Sequence, residues 1–81
     1  MKWPLYKQVA LLKDFPGEGL KKGDVVTTVE FLEGRRDLPN AYFVEAFNAV
    51  GKTIAVFIVE EDALEALTEH DILSKRSLEI V

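Results

Sequence analysis

The sequence predicts a small all-β domain, and three observations lead to that class. The chain holds nine valines, four isoleucines and four threonines, and β-branched residues favour strands. These residues fall in short runs separated by glycine, proline and asparagine, which are typical of turns between strands. A chain of 81 residues is long enough for one domain but too short for a two-sheet immunoglobulin-like fold.

Four of these runs predict strands, because each contains four or more apolar or β-branched residues bounded by turn residues. In chain order they are Gln8–Lys13, Val25–Leu32, Ala41–Phe47 and Thr53–Val59. Alternation places Val25 and Phe31 on one face of the second run, and it places Phe43 and Phe47 opposite Tyr42 in the third. The fourth run is apolar on both faces, which predicts a strand that is central or covered on both sides.

The last third of the sequence carries a weaker pattern. Glu60 to Asp62 predicts a short helical turn that leads into residues 63–67. Thr68 is a candidate N-cap for a helix, because acidic residues follow in its first turn; a single helix that starts near Asp62 is the alternative. The alternating segment Ser77–Val81 predicts a further edge strand.

Five short strands in about seventy residues predict a strongly bent barrel, since a barrel closes its own edges. The long loop after the first strand, and the Gly23-Asp24 turn into the second, favour an SH3-like barrel. We therefore predict one domain over residues 1–81, with a core at about residues 5–67 and a short C-terminal helical appendage at 68–81.

Several segments, taken together and in order, resemble one known family. They are Leu5-Tyr6 through Val9-Ala10-Leu11, Asp14-Phe15-Pro16, the Gly-Leu-Lys-Lys-Gly-Asp-Val-Val segment of residues 19–26, the Tyr-Phe-Val-Glu-Ala-Phe segment of residues 42–47, and Val59 to Leu67. They resemble a family of small bacterial proteins catalogued as domain of unknown function number 4926. The resemblance covers about residues 5–67. It implies an SH3-like barrel, and it brings no established activity and no catalytic residues.

Composition excludes several classes of protein. The sequence has no cysteine, which excludes disulfide frameworks and thiolate metal sites and is consistent with a reducing compartment. The N-terminus has no apolar stretch long enough for a signal peptide, so we expect a cytoplasmic protein. The single histidine, His70, is better explained as a solvated residue than as a metal ligand. We expect no metal, no cofactor and no membrane association. We also expect no enzymatic activity, because no residue pattern meets the requirements for catalysis.

Charge is distributed unevenly along the chain, whose net charge is -4. Residues 1–36 carry a net charge of +2 and residues 37–81 a net charge of -6. The acidic half is suited to a basic protein partner. The basic residues Arg35 and Arg36, with Lys21 and Lys22, offer a small nucleic-acid surface if their loops converge.

The aromatic residues exceed what one small core needs, so some of them must face outward. Exposed apolar surface on a small domain typically marks an interface, although the C-terminal segment with Leu64, Leu67, Ile72 and Leu73 could equally cover it. We therefore predict a non-enzymatic protein-binding or accessory module, antitoxin-like or self-associating; the alternative is a nucleic-acid-binding small barrel that uses its basic loops. The predicted partner-binding residues are Phe15, Arg35, Arg36, Phe43, Phe47, Phe57, Glu60, Glu61 and Asp62.

Overall fold

The computed structural model describes residues 1–78 and has five antiparallel strands in one sheet. The strands are β1 (Gln8–Leu11), β2 (Val25–Leu32), β3 (Ala41–Phe47), β4 (Thr53–Glu60) and β5 (Leu64–Ala66). Their order across the sheet is β4-β3-β2-β1-β5. The predicted all-β class is confirmed, and so are the four strands predicted before residue 60.

The two edges of the sheet are β4 and β5, since β1 lies between β2 and β5. A 3-10 turn at Pro16–Glu18 lies in the loop between β1 and β2, and a second, at Glu61–Ala63, connects β4 to β5. In the described part of the chain, hydrogen bonding leaves the sheet open between β4 and β5. Closure into an SH3-like barrel therefore stays a prediction.

The prediction of a C-terminal helical appendage is wrong for the residues that the structure describes. The helical turn expected near residue 60 is present as the 3-10 turn Glu61–Ala63, but Leu64–Ala66 continues as β5 and pairs with β1. Beyond β5, residues 67–78 contain a single turn, in which the Asp71 N–H donates to the Thr68 carbonyl. Burial of Leu64 beside Leu11 overrides the helical propensity of the segment. The predicted edge strand at 77–81 is not formed at residues 77 and 78, and its remainder lies outside the described residues.

The core lies on the inner face of the sheet. Tyr42 and Val44 of β3 are fully buried there, and Leu11 and Leu64 bury the β1–β5 side. The loop between β1 and β2 folds over this face and packs Phe15 against Phe57 of β4. Every buried side-chain polar atom among residues 1–78 has a hydrogen-bond partner, as expected for a well-formed interior.

A β-bulge changes the alternation of β2. Thr28 pairs with Val44, but Glu30 pairs with Phe43, so one residue of β2 is left over between them. Phe31 consequently faces the core, where its ring lies 5.2 Å from that of Tyr42. The predicted face of Phe31 is therefore wrong, because strict alternation cannot anticipate the extra residue of a bulge.

Candidate docking surface

An exposed apolar surface lies on the outer face of β3 and β4. We call it the apolar outer face and define it as Phe43, Phe47, Ile54, Val56 and Ile58. Phe47, Ile54, Val56 and Ile58 are 43%, 37%, 54% and 52% exposed, and Phe43 is partly buried. Apolar exposure of this extent is uncommon on small soluble domains unless it serves an interaction.

Strand alternation produces this surface. In β4, Phe57 and Val59 are buried in the core while Val56 and Ile58 point the other way. Phe43 lies directly opposite Ile58 on the neighbouring strand, and Glu45 lies opposite Val56, so the apolar side chains of β3 and β4 surround one carboxylate on this face. The prediction that some of the aromatic and apolar residues face outward is confirmed.

The position of β4 differs from the sequence-based expectation. Its apolar character on both faces predicted a central or fully covered strand, but β4 lies at the edge of the sheet and its outer face is exposed. That expectation is wrong, because a run of apolar residues indicates low polarity on both faces without indicating what lies against them.

The C-terminal segment does not cover the apolar outer face. Leu67, Ile72 and Leu73 line a shallow groove with Ala10 of β1 and Val25 of β2, which lie on the same face of the sheet but toward its β5 edge. The side chain of Ile72 is 90% exposed. The alternative that these residues cover the apolar outer face is therefore wrong for the part of the chain that the structure describes.

The C-terminal segment is held in this position by an ion pair at the start of β2. The Arg76 guanidinium contacts both carboxylate oxygens of Asp24, with Nε donating to Oδ1 at 3.1 Å. Asp24 Oδ2 also accepts the backbone N–H of Lys21 at 2.7 Å. These contacts fix residues around 76 beside the β1–β2 loop, far from the β4 edge in strand order.

The acidic residues after β4 lie next to the N-terminal segment. The backbone N–H of Lys2 donates to Glu61 Oε2 at 2.9 Å, and the Lys2 ammonium lies 3.5 Å from Asp62 Oδ1. Glu60, at the end of β4, is exposed. Of the three predicted acidic contacts, only Glu60 belongs to the strand that carries the apolar outer face.

The predicted basic residues do not form one surface. Lys21 and Lys22 precede β2, whereas Arg35 and Arg36 follow it, so the eight residues of β2 separate them. A strand of that length spans about 25 Å. The convergence on which the nucleic-acid hypothesis depended is therefore absent.

Two of the predicted aromatic contacts belong to the interior. Phe57 is buried, and the ring of Phe15 lies 5.3 Å from it in a tilted arrangement. Phe15 is partly buried and packs against the core, with the Lys13 ammonium 5.6 Å from the centre of its ring. Both residues stabilise the loop between β1 and β2 and lie outside the apolar outer face.

The predicted site omitted three residues that dominate the exposed patch: Ile54, Val56 and Ile58. The available signal was their two-residue spacing, opposite the buried Phe57. Sequence alternation separates the two faces of a strand, but only the strand order shows which face is left open.

Within residues 1–78, we find no group of three or more His, Asp or Glu side chains positioned to hold a metal ion. Over the same residues, the structure contains no helix with the length and apolar composition needed to cross a bilayer.

The fold and the exposed patch define a small all-β protein with one open sheet and an apolar outer surface. The family model for the domain of unknown function DUF4926 matches residues 5–66. The chain therefore belongs to this family, and the resemblance seen in the sequence is confirmed. No curated protein matches the chain, and no solved structure matches it.

Proposed function

We propose that this protein is a non-enzymatic accessory module that binds another protein through the apolar outer face. The observation that carries the proposal is the exposure of Phe47, Ile54, Val56 and Ile58 on adjacent strands. An aromatic and aliphatic cluster of this size provides the kind of central contact on which protein interfaces depend.

The charge around this face supports a basic partner. Glu60 lies at one end of β4, and Glu61 and Asp62 follow it directly. Because residues 37–81 carry a net charge of -6, a partner with lysine or arginine around an apolar contact would be attracted electrostatically. This mode of binding is antitoxin-like, in that the module would mask a basic surface of its partner.

Phe47→Ser tests the docking surface. The full chain is immobilised and exposed to extract from cells of its own source, and retained proteins are quantified by mass spectrometry. Loss of a phenyl ring that a partner covers costs about 2 kcal/mol, so the partner retained by the wild type should bind about thirtyfold more weakly. Leu38→Ser is the matched control, because Leu38 is an exposed apolar residue in the β2–β3 loop.

Equal retention by the Phe47→Ser variant and the wild type would contradict the proposal. Retention of nuclease-sensitive material in place of a protein would also contradict it, and would favour the nucleic-acid alternative through Arg35 and Arg36. In that case, retention should fall steeply with salt.

Substitution of Glu60, Glu61 and Asp62 by their amides tests the acidic contribution separately. We expect weaker retention at low salt and a smaller difference from the wild type at high salt, because screening removes long-range attraction. In the Glu61→Gln substitution the side-chain amide oxygen can still accept the Lys2 N–H, so the local fold is preserved. Retention that is unchanged at low salt would exclude masking of a basic partner through these residues.

A further inference from the structure

The free edge of β4 is the second unpartnered feature of this part of the molecule. β4 pairs with β3 on one side only, and none of the described residues pairs with its other side. From Thr53 to Val59 the strand contains no charged residue and no proline. Natural edge strands usually carry such residues, because an unprotected edge pairs with other strands.

The charges at the two ends of β4 favour one orientation of pairing. Lys52 immediately precedes the strand and Glu60 ends it. Both residues are exposed, and neither is engaged in an ion pair within residues 1–78. When two copies of β4 pair antiparallel, the cation of each copy lies beside the carboxylate of the other. Parallel pairing would bring like charges together.

The side-chain pattern selects one register. When Val56 lies opposite Val56 of a second copy, Ile54 lies opposite Ile58. A β-bulge at Ile54 shifts the register beyond it, so Lys52 lies near the strand end that carries Glu60 of the other copy. A shift of the pairing centre by one residue toward Phe57 sets Ile54 opposite the charged Glu60. If the two-fold axis fell between two residues, a core-facing side chain of one copy would lie opposite an outward-facing side chain of the other.

We propose that β4 pairs antiparallel with β4 of a second copy of this chain, about a two-fold axis at Val56. The pairing satisfies the free backbone edge of both copies and forms one continuous ten-stranded sheet. It also places the two apolar outer faces side by side, which doubles the surface offered to a partner. The inference thus deepens the proposed binding function, but the pairing itself requires no partner.

The mass of the purified full chain in solution tests the pairing. Because an edge-strand interface is small, we expect dissociation in the micromolar range, and so a mass of twice 9.1 kDa at about 100 μM. Val56→Lys should shift the chain to monomer, since the two-fold axis sets the two introduced ammonium groups against each other. Ile72→Lys, at an exposed apolar residue away from β4, should leave the dimer intact. Far-ultraviolet circular dichroism verifies that both variants fold.

Charge reversal tests the orientation of the two strands. Lys52→Glu or Glu60→Lys alone should weaken the dimer about tenfold, because each places two like-charged pairs in the interface. The double variant should restore the dimer to within about twofold of the wild type, since the opposite charges meet again. Failure of the double variant to recover would overturn the antiparallel register.

A cysteine substitution tests the register directly. Because the chain has no cysteine, Val56→Cys introduces its only thiol. Directly opposed residues of antiparallel strands have Cα atoms about 4.5–5.5 Å apart, within the range that a disulfide spans. Val56→Cys should therefore form a covalent dimer under mild oxidation, faster than Val50→Cys, which places its thiol in the exposed β3–β4 turn.

A monomeric mass at high concentration, or equal crosslinking of the two cysteine variants, would overturn the pairing. Neither result would contradict the binding function, which Phe47→Ser tests on β3 and away from the edge. Conversely, a dimer that retains no partner protein would leave the pairing supported and the proposed function contradicted.

Discussion

Thr28 is the buried polar residue that holds the N-terminal segment against the sheet. Its side chain is fully buried in β2, and its hydroxyl donates to the Pro4 carbonyl at 2.7 Å. The same oxygen accepts the backbone N–H of Lys7 at 3.1 Å. One hydroxyl thus satisfies two backbone groups that would otherwise lose a partner next to the core.

Thr28→Val should lower the free energy of unfolding by about 2 kcal/mol, because valine keeps the shape but leaves both backbone groups without their hydroxyl partner. Urea denaturation measures the change. Thr27→Val is the control, since Thr27 is partly exposed on the outer face, and it should change stability by less than about 0.5 kcal/mol. Equal effects of the two substitutions would contradict this role for Thr28.

Tyr42 holds the same segment at a second point. Its buried hydroxyl accepts the Trp3 N–H at 2.8 Å and donates to the Trp3 carbonyl at 2.8 Å. The indole Nε1–H of Trp3 donates to the Glu61 carbonyl at 3.1 Å, so the segment is also tied to the turn after β4.

Tyr42→Phe should release Trp3 from this position and lower stability by about 2 kcal/mol. Trp3 is the only tryptophan of the chain, so its fluorescence emission reports the change and should shift to the red as the ring gains water. Tyr6→Phe is the control, because Tyr6 is the other tyrosine and its side chain is exposed. An unchanged spectrum in the Tyr42→Phe variant would show that the segment does not depend on this hydroxyl.

At the scale of elements, Gly34 fixes the connection between β2 and β3. A Cβ at this position would lie within 2.8 Å of the Pro39 and Asn40 backbone and would clash with the Leu38 carbonyl oxygen. The Gly34 N–H donates to the Asn40 side chain at 2.8 Å, which draws the two ends of the loop together. No side chain fits between these two stretches of backbone.

Gly34→Ala should therefore destabilise the protein by about 2 kcal/mol, as expected for an overpacked site whose neighbours are backbone atoms. Gly17→Ala is the matched control, because nothing lies within 4 Å of the Cβ it would gain. That variant should be neutral or slightly more stable. Thermal unfolding of the two variants decides the point, and similar melting temperatures would contradict the proposed clash.

Strand prediction succeeded where alternation and flanking turn residues agreed. The bounds of β2 and β3 match the predicted ones, and β4 extends one residue further, to Glu60. β1 ends two residues earlier than expected, because the chain bends at residues 12 and 13, although the Leu12 N–H still donates to the Ala63 carbonyl. β5 was missed, since Leu64–Ala66 consists of good helix formers and becomes a strand only by pairing with a distant segment.

At the scale of the whole molecule, the sequence predicted outward-facing residues but not their surroundings. Alternation separated Phe43 and Phe47 from the buried Tyr42. It could not show that β4 is an edge or that the C-terminal segment lies over β1 and β2, because both depend on strand order. The same limit applies to the basic loops, whose separation follows from the length and direction of β2.

Arg76→Ala should free the C-terminal segment from the start of β2. Its partner Asp24 is partly buried, so we expect a stability loss of at most about 1 kcal/mol but faster tryptic cleavage after Lys75. Arg35→Ala, at an exposed arginine in the β2–β3 loop, should leave that cleavage rate unchanged. Mass spectrometry of timed digests measures both rates, and equal rates in the wild type and Arg76→Ala would contradict the anchoring role.

The pairing of β1 with β5 also has a consequence for the order of folding. β2, β3 and β4 are consecutive in sequence and pair as antiparallel neighbours. The pairing of β1 with β5 brings Leu11 opposite Leu64, and about fifty residues of chain separate these two positions. Closing such a long loop is entropically costly, so we expect the β2–β4 meander to form before the transition state and the β1–β5 ladder after it. The substitution Leu64→Ala should then accelerate unfolding while leaving the refolding rate nearly unchanged.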